Sequence, residues 1–316
     1  MAKLIRGPLR EVRSRVFDSA RWAGYQPRAD DIVIATYPKC GTTWTQRVVS
    51  MLVFASAEPR PVMELSPWPD MRLFGPIEPV LDQAQAQTHR RYLKSHLPYD
   101  ALPVYEGVKY IHVARDGRDA AMSFHNHMAK FTPEATAALN AVSLADPKFG
   151  EAVPPSPQDP AEFFHLWVEG PLDGVGDEGA GFFHIENSFW AARRDPNVLL
   201  VHYNDLKADR AAEMGRIARF LDIDIPQAVW PSLVEAAGFE AMKRDGQALL
   251  PMAEMLWEGG AQTFLHKGTN GRWRDVVSKD DLARYDAKVK AQFSPSLARW
   301  IEHGRLVAGD PEAAAN

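Results

Sequence analysis

Cysteine is almost missing from this chain: Cys40 is the only one in 316 residues. No internal disulfide can form, and a lone thiol fits a reducing cytoplasm. Long apolar runs are missing too. None approaches the roughly 20 residues that a membrane helix requires. The N-terminus, Met1-Ala2-Lys3-Leu4-Ile5-Arg6-Gly7-Pro8, is basic, but no apolar stretch follows it, so it does not read as a secretion signal. There is no excess of positive charge. A net charge of −5 argues against general nucleic-acid binding, while leaving room for one small polyanion on a local basic cluster. Metal-binding spacings are absent: there is no H-E-x-x-H and no cysteine pair, and His125 and His127 do not share a helix face. The chain is expected to need no metal.

What remains is an ordinary globular composition, 46% hydrophobic and 24% charged. Strand-like runs at Ile32–Ala35, Arg91–His96, Val108–Ala114 and Asn197–Tyr203 alternate with helical patterns. The helical patterns lie at about 42–56, 118–130, 182–194, 205–221 and 226–237. This alternation predicts an α/β fold, a single domain over 1–316 with its core at about 30–300. A central parallel sheet would be flanked by helices. In such sheets ligands sit beyond the carboxyl ends of the strands. Tyr37, His96, Arg115 and Tyr203 all fall there. Residues 131–181 break the pattern, with Val153-Pro154-Pro155-Ser156-Pro157 and a Gly-rich stretch from Gly174 to Gly181. They read as a long lid or acceptor loop. Phe163, Phe164, Trp167, Phe182 and Phe183 would anchor it to the core or line an apolar pocket.

The segment Thr36-Tyr37-Pro38-Lys39-Cys40-Gly41-Thr42-Thr43-Trp44 carries the clearest chemistry. A buried strand leads into it and a buried helix leaves it. The free N–H groups of a first helical turn, the helix dipole and a lysine together suit an oxyanion. Lys39 precedes Gly41 and no second glycine is present, so the Walker A order fails and magnesium–ATP chemistry is disfavoured. Six residues separate Cys40 from Arg47, one too many for a cysteine phosphatase. Cys40 therefore reads as a small spacer offering its backbone N–H.

The segment resembles the 5′-phosphosulfate loop of the cytosolic-type sulfotransferases, Tyr-Pro-Lys-Ser-Gly-Thr-Thr-Trp, with Cys40 in the serine place. Those enzymes move a sulfuryl group from 3′-phosphoadenosine 5′-phosphosulfate (PAPS) to an acceptor hydroxyl or amine. The resemblance implies a P-loop-like phosphosulfate site. In it Lys39 meets the bridging oxygen and 5′-phosphate, Gly41, Thr42 and Thr43 donate to the phosphate, and Trp44 stacks on adenine. Leu93-Lys94-Ser95-His96-Leu97-Pro98 is similar to the family's Lys-Thr-His-Leu-Pro. That implies His96 as general base with Lys94 beside it. Arg115 and Ser123, in Val113-Ala114-Arg115-Asp116-Gly117-Arg118-Asp119-Ala120-Ala121-Met122-Ser123, match the segment that binds the 3′-phosphate. Tyr203 matches a tyrosine that contacts adenine. Phe264-Leu265-His266-Lys267-Gly268-Thr269-Asn270-Gly271-Arg272-Trp273 resembles Arg-Lys-Gly-x-x-Gly-Asp-Trp. That adds His266, Lys267 and Gly268 to the expected cofactor site. Phe239 and Met242 come from the counterpart of Thr-Ser-Phe-x-x-Met.

The departures have consequences. His266 replaces an always-charged bidentate ligand with a group that is largely neutral at pH 7. Ala237-Gly238 lacks both hydroxyls of the family pattern. Arg272 and Arg274 stand where the family has Asp and Lys, as candidate replacements. Ser278-Lys279 stands where the usual dimer signature would be, so no oligomeric state is assigned. Ser66-Pro67-Trp68, Thr88-His89-Arg90-Arg91 and Trp167-Val168-Glu169-Gly170-Pro171 look closer to bacterial, mycobacterial-type members, some associated with glycolipid acceptors. The expectation is a cytoplasmic bacterial sulfotransferase acting on a small hydroxyl acceptor, phenolic, apolar or lipid-linked. The competing expectations are a P-loop-like phosphotransferase or phosphohydrolase, and a non-catalytic cofactor- or lipid-binding relative.

Overall fold

The computed structural model describes residues 2–170, 172 and 181–315. Four parallel strands form its central sheet, in the order Tyr92–Ser95, Ile32–Ala35, Lys109–Ala114, Val198–His202. Each predicted strand is present. A short antiparallel pair, Leu4–Arg6 with Val104–Tyr105, lies apart from this sheet. Successive side chains of a strand point to opposite faces. Accordingly Ile32 and Ile34 pack with Val48, Leu52, Met214 and Ile217, while Val33 and Ala35 join a separate cluster with Phe163, Trp167 and Phe189. Both faces of the sheet are covered, as near-continuous apolar strands require.

The foot of the sheet is held by a buried ion pair. Arg91 precedes one strand and Asp31 the next, and both are essentially inaccessible. Arg91 Nε donates to Asp31 Oδ1 at 2.7 Å and its Nη2 to Oδ2. Tyr25 also donates its hydroxyl to Asp31, and the Arg28 N–H donates at 2.8 Å. This network pins two adjacent strands in register, Ile32 opposite Tyr92 and Ala35 opposite Ser95. The phosphate-type loop and His96 therefore emerge side by side.

In chain order, the helices after the first, third and fourth strands of this sheet start close to expectation, at Thr42–Phe54, Gly117–Met128 and Tyr203–Ala208. The pattern at 205–221 is two helices, divided where Asp209 caps Arg210–Phe220. The last predicted helix begins later, at Trp230.

Residues 131–181 differ most from their expected form. They hold two helices, Pro133–Ala145 and Pro160–Glu169. Thr132 and Asp159 cap them through the N–H groups of Ala135 and Ala161. A capping side chain followed by proline is a helix start, and both were legible as Thr132-Pro133 and Asp159-Pro160. Residues 171 and 173–180, including most of the Gly-rich stretch, lie outside the described residues. The aromatic residues flanking the later half are mainly core. Phe164, Trp167, Phe182 and Phe183 are buried within it, and the Trp167 indole donates to the Tyr37 hydroxyl at 2.7 Å. Phe163 alone of the five also faces the large cavity.

Removing one charge of the foot network would strand the other in the core. Asp31→Asn is expected to cost about 3–5 kcal/mol. Urea unfolding checks this; a loss below about 1 kcal/mol would show that the pair does not hold the strands.

Candidate active site

Thr36, His96, Arg115 and Tyr203 are each the first residue beyond a strand of the sheet. His96, Arg115 and Tyr203 line one cavity of about 1450 Å³, and Thr36 leads into the loop that lines it from Pro38 onward. Its volume exceeds that of a usual single-ligand pocket of roughly 300–1000 Å³, leaving room for two partners. Eight lysines and arginines line it against one carboxylate, Glu162, among the described residues. A chain of net charge −5 thus concentrates positive charge at one place. This suits a polyanion.

The loop at 36–44 is shaped by backbone. Lys39 is held at φ 69° and Gly41 at φ 121°. A side chain at Gly41 would press on the Tyr203 ring at 3.3 Å, so glycine is required there. The helix that follows has no side-chain cap, and its first internal bond runs from the Thr45 N–H to the Gly41 carbonyl. The N–H groups of Thr42, Thr43 and Trp44 precede that bond and form the open end of the helix. Thr42, Thr43 and Trp44 line the cavity, as does Gly41. Cys40 does not. Its side chain is buried in the core, its N–H meets the Tyr37 carbonyl at 3.4 Å, and burial pushes its thiol pKa well up.

His96 is buried beside this loop. Its Nδ1 lies 2.7 Å from the Thr36 carbonyl oxygen, which can only accept. Nδ1 therefore carries the proton, and Nε2 keeps a free lone pair. Burial, Lys94 and Lys39 hold its pKa well below the usual 6.5, so the ring is neutral. This is the protonation state of a base. Burial, with Lys94 and Arg115 nearby, lowers Lys39 to about 7. Burial lowers Lys94 to about 7 also, against the opposing pull of Asp70.

At the far side Arg115 Nη1 donates to the Lys39 carbonyl at 3.2 Å, and Nη2 to Asn270 Oδ1 at 2.9 Å. Its guanidinium lies over the Tyr203 ring at 4.1 Å, while its Nε is buried without a partner. Ser123 is half-buried on the cavity wall. Trp44 meets Tyr203 edge-on at 5.3 Å and donates its indole N–H to the Ala237 carbonyl. Phe239, Met242, His266, Lys267 and Gly268 complete this end. His266 Nδ1 lies 3.0 Å from Arg272 Nη1. Burial and the nearby Arg272, Lys267 and Lys243 lower its pKa, so His266 is an acceptor and Arg272 the local charge. Arg274 instead covers Trp273, away from the large cavity.

The sequence reading passed over three residues. Asp70, fully buried, accepts from the His96 N–H at 3.1 Å, the Trp68 indole at 2.9 Å and the Trp22 indole at 3.1 Å. Trp68 in turn presents its ring face to Lys94 Nζ at 3.4 Å. In the sequence Trp68 entered only through Ser66-Pro67-Trp68, with no site role attached, and Asp70 did not enter at all. The third residue is His127, whose Nδ1 sits 3.4 Å from Lys39 Nζ. Apolar residues Phe17, Trp68, Met71, Phe74, Phe131 and Leu139 line the other half of the cavity. Among the described residues no cluster of metal-ligating side chains is found, and no helix is long and apolar enough to cross a membrane.

Comparisons with known proteins bear on the family and the fold. A family model described as "Sulfotransferase domain" matches residues 29–296. A "Glycolipid sulfotransferase" of Mycobacterium bovis (strain BCG / Pasteur 1173P2) is 34% identical over 313 residues, covering 93% of this chain and 94% of that protein. "Sulfotransferase 1A1" of Rattus norvegicus is 26% identical over 270 residues, with 82% of each chain covered. In structure the chain resembles mouse sulfotransferase SULT7A1 complexed with PAP, with a TM-score of 0.66 at 20% identity over 89% of this chain and 90% of that one. It also resembles retinol dehydratase in a complex with retinol and PAP, with a TM-score of 0.66 at 22% identity over 88% and 87%.

The lowered lysines predict a pH dependence of anion binding. Sulfate keeps its own charge between about pH 6 and 8.5, so it reports on the site alone. Its affinity is expected to fall roughly tenfold over that range as Lys39 and Lys94 lose their protons. Calorimetric titration checks this, and a flat profile would refute it.

Proposed function

The chain belongs to the sulfotransferase family, and from that premise we propose that it moves a sulfuryl group from PAPS to a hydroxyl of an apolar, glycolipid-type acceptor. Family membership decides against the phosphotransferase and phosphohydrolase readings. The observation that carries the proposal is His96: neutral, with its proton fixed on Nδ1 by Thr36, beside a helix start flanked by Lys39 and Lys94. The residues fit PAPS. One end of the cavity offers open helix N–H groups and lysines, and the other offers Arg115 with an orphaned buried Nε. PAPS supplies an activated sulfuryl group on a phosphate leaving group.

The protein's own part is division of labour. His96 Nε2 takes the proton of the acceptor hydroxyl as the oxygen attacks. Lys39 and the N–H groups of Thr42 and Thr43 hold the charge that grows on the leaving phosphate oxygen. Lys94, kept in place by the Trp68 ring, adds positive charge between the two. Asp70 holds the His96 backbone and the Trp68 indole, so base and lysine share one support. Arg115 and Ser123 receive the 3′-phosphate. Arg272 supplies the guanidinium that His266 cannot. Trp44, Tyr203 and Phe239 form the adenine end. Fixing both reactants in one enclosed cavity provides much of the rate.

The acceptor belongs in the apolar half. Phe17, Trp68, Phe74, Phe131 and Leu139 suit a lipid or phenolic body, and the mycobacterial glycolipid sulfotransferase relative favours a lipid-linked sugar. Residues 131–158, with the helix Pro133–Ala145, wall this half and act as the acceptor region.

Two variants test the assignment with labelled PAPS and an acceptor found by screening glycolipids and phenols. His96→Ala is expected to bind adenosine 3′,5′-bisphosphate normally and lose about 10²–10⁴-fold in turnover. Undiminished turnover would remove His96 as the base. Arg272→Ala is expected to lose roughly tenfold in affinity for the 3′,5′-bisphosphate and little for adenosine 5′-monophosphate. Equal losses for both would place Arg272 away from the 3′-phosphate.

A further inference from the structure

Lys39 does not hang free in the cavity. Its ammonium rests 4.0 Å above the Phe264 ring and 3.4 Å from His127 Nδ1. His127 sits four residues past Ser123, on the last turn of the helix Gly117–Met128. Its ring is caged. Phe131, Trp257 and Phe264 surround it with centroids at 5.1, 5.0 and 5.9 Å, and Phe124 stacks at 6.1 Å. Within this cage the imidazole turns Nδ1 to Lys39.

We infer that His127 is a positioning residue for Lys39, holding the lysine ammonium through Nδ1 at the place from which it meets the phosphosulfate. This rests on the sulfotransferase reading of the site. A lysine ammonium has three N–H donors and no acceptor. One is spent on His127 and the flat Phe264 face blocks another side, which leaves the remaining donor direction toward the loop. The bond forms without the cofactor, and the surrounding rings restrain the imidazole that makes it. The flexible four-carbon stem of Lys39 is thereby ordered in advance.

Charge explains why an acceptor is needed there. The groups facing Lys39 are Lys94, Arg115, His96 and His127, none of them anionic. Asp70 acts on Lys94 from behind the cavity wall. A protonated Lys39 in this company has His127 as its side-chain acceptor. His127 can serve because burial, followed by the charges of Lys39 and Lys94, keeps it neutral far below its usual range. The two site histidines thus hold opposite tautomers: His96 protonated on Nδ1, His127 with Nδ1 free to accept.

Two variants separate this role from packing. His127→Phe keeps an aromatic ring in the cage and removes the acceptor. His127→Asn places a side-chain oxygen where Nδ1 was. The first measurement is the pH dependence of Lys39 acetylation by acetic anhydride in the cofactor-free protein. His127→Phe is expected to move its midpoint down by about one pH unit, and His127→Asn to restore most of it. An unmoved midpoint overturns the inference whatever the enzyme's reaction is.

The second measurement is calorimetry with adenosine 3′,5′-bisphosphate. Against the wild type, His127→Phe is expected to bind within about twofold at about pH 6 and roughly three- to tenfold more weakly at about pH 8.5. The sign follows from linkage. At the lower pH Lys39 is largely charged in the free wild type and about half charged in the free variant, so little proton uptake accompanies binding in either. At the higher pH Lys39 must gain its proton on binding, and that proton has lost its acceptor. A variant that binds more tightly at low pH and equally at high pH would show His127 restraining Lys39 away from the ligand, and would overturn the inference. Failure of the wild type itself to bind the bisphosphate would refute the sulfotransferase site instead, while the acetylation result still judges the His127–Lys39 bond.

Discussion

Four parallel strands, hydrogen-bonded in register, bring Thr36, His96, Arg115 and Tyr203 to one edge of a sheet. Each follows its strand by one residue, so the spacing of the site is the spacing of the strands. The buried Asp31–Arg91 pair fixes the register of two of those strands from the opposite end. A slip by one residue would exchange the two faces of a strand and carry His96 away from the Thr36 carbonyl. The tautomer of the base and the position of the anion loop depend on that register in the same way.

Electrostatics is the second layer. The cavity gathers cations with almost no carboxylate among its lining residues. Burial lowers Lys39 and Lys94 to about 7 and keeps both His96 and His127 neutral, with the neighbouring cations adding to the effect on Lys39 and on the two histidines. An apo site of this kind is destabilised by its own charge, and a polyanionic ligand relieves it. Aromatic rings make the arrangement tolerable. Trp68 lies under Lys94, Phe264 under Lys39 and Tyr203 under Arg115, so each cation has a π face where no anion is available. At the Tyr203 end of the cavity, His266 and Arg272 act as one unit, with the imidazole accepting from the guanidinium that carries the charge.

Much of this was legible in the chain. Ile32–Ala35 reads as a buried strand because it is short, apolar and β-branched, and all four residues are buried. Gly41 followed by two threonines and an apolar run reads as an anion loop and helix because the required conformations are local. The helices at 133–145 and 160–169 were missed, although Thr132-Pro133 and Asp159-Pro160 announced them, because prolines nearby read as loop. His127 was passed over because its spacing from His125 spoke only about metals. Its partner Lys39 is 88 positions away, and no local pattern links the two.

The sequence by itself determined the parallel α/β sheet, the anion loop and the order of the strand-end residues, since each depends on short-range apolar periodicity and backbone freedom. It also determined that Cys40 has no cysteine partner. Only the tertiary structure decided the chemical state of those residues. The proton on His96 is placed by a carbonyl 60 positions away, Lys39 is ordered by His127 and Phe264, and Asp70 supports base and lysine together. The reason is that residue type and spacing set which groups can act, whereas protonation and orientation depend on desolvation and on neighbours brought together only by folding.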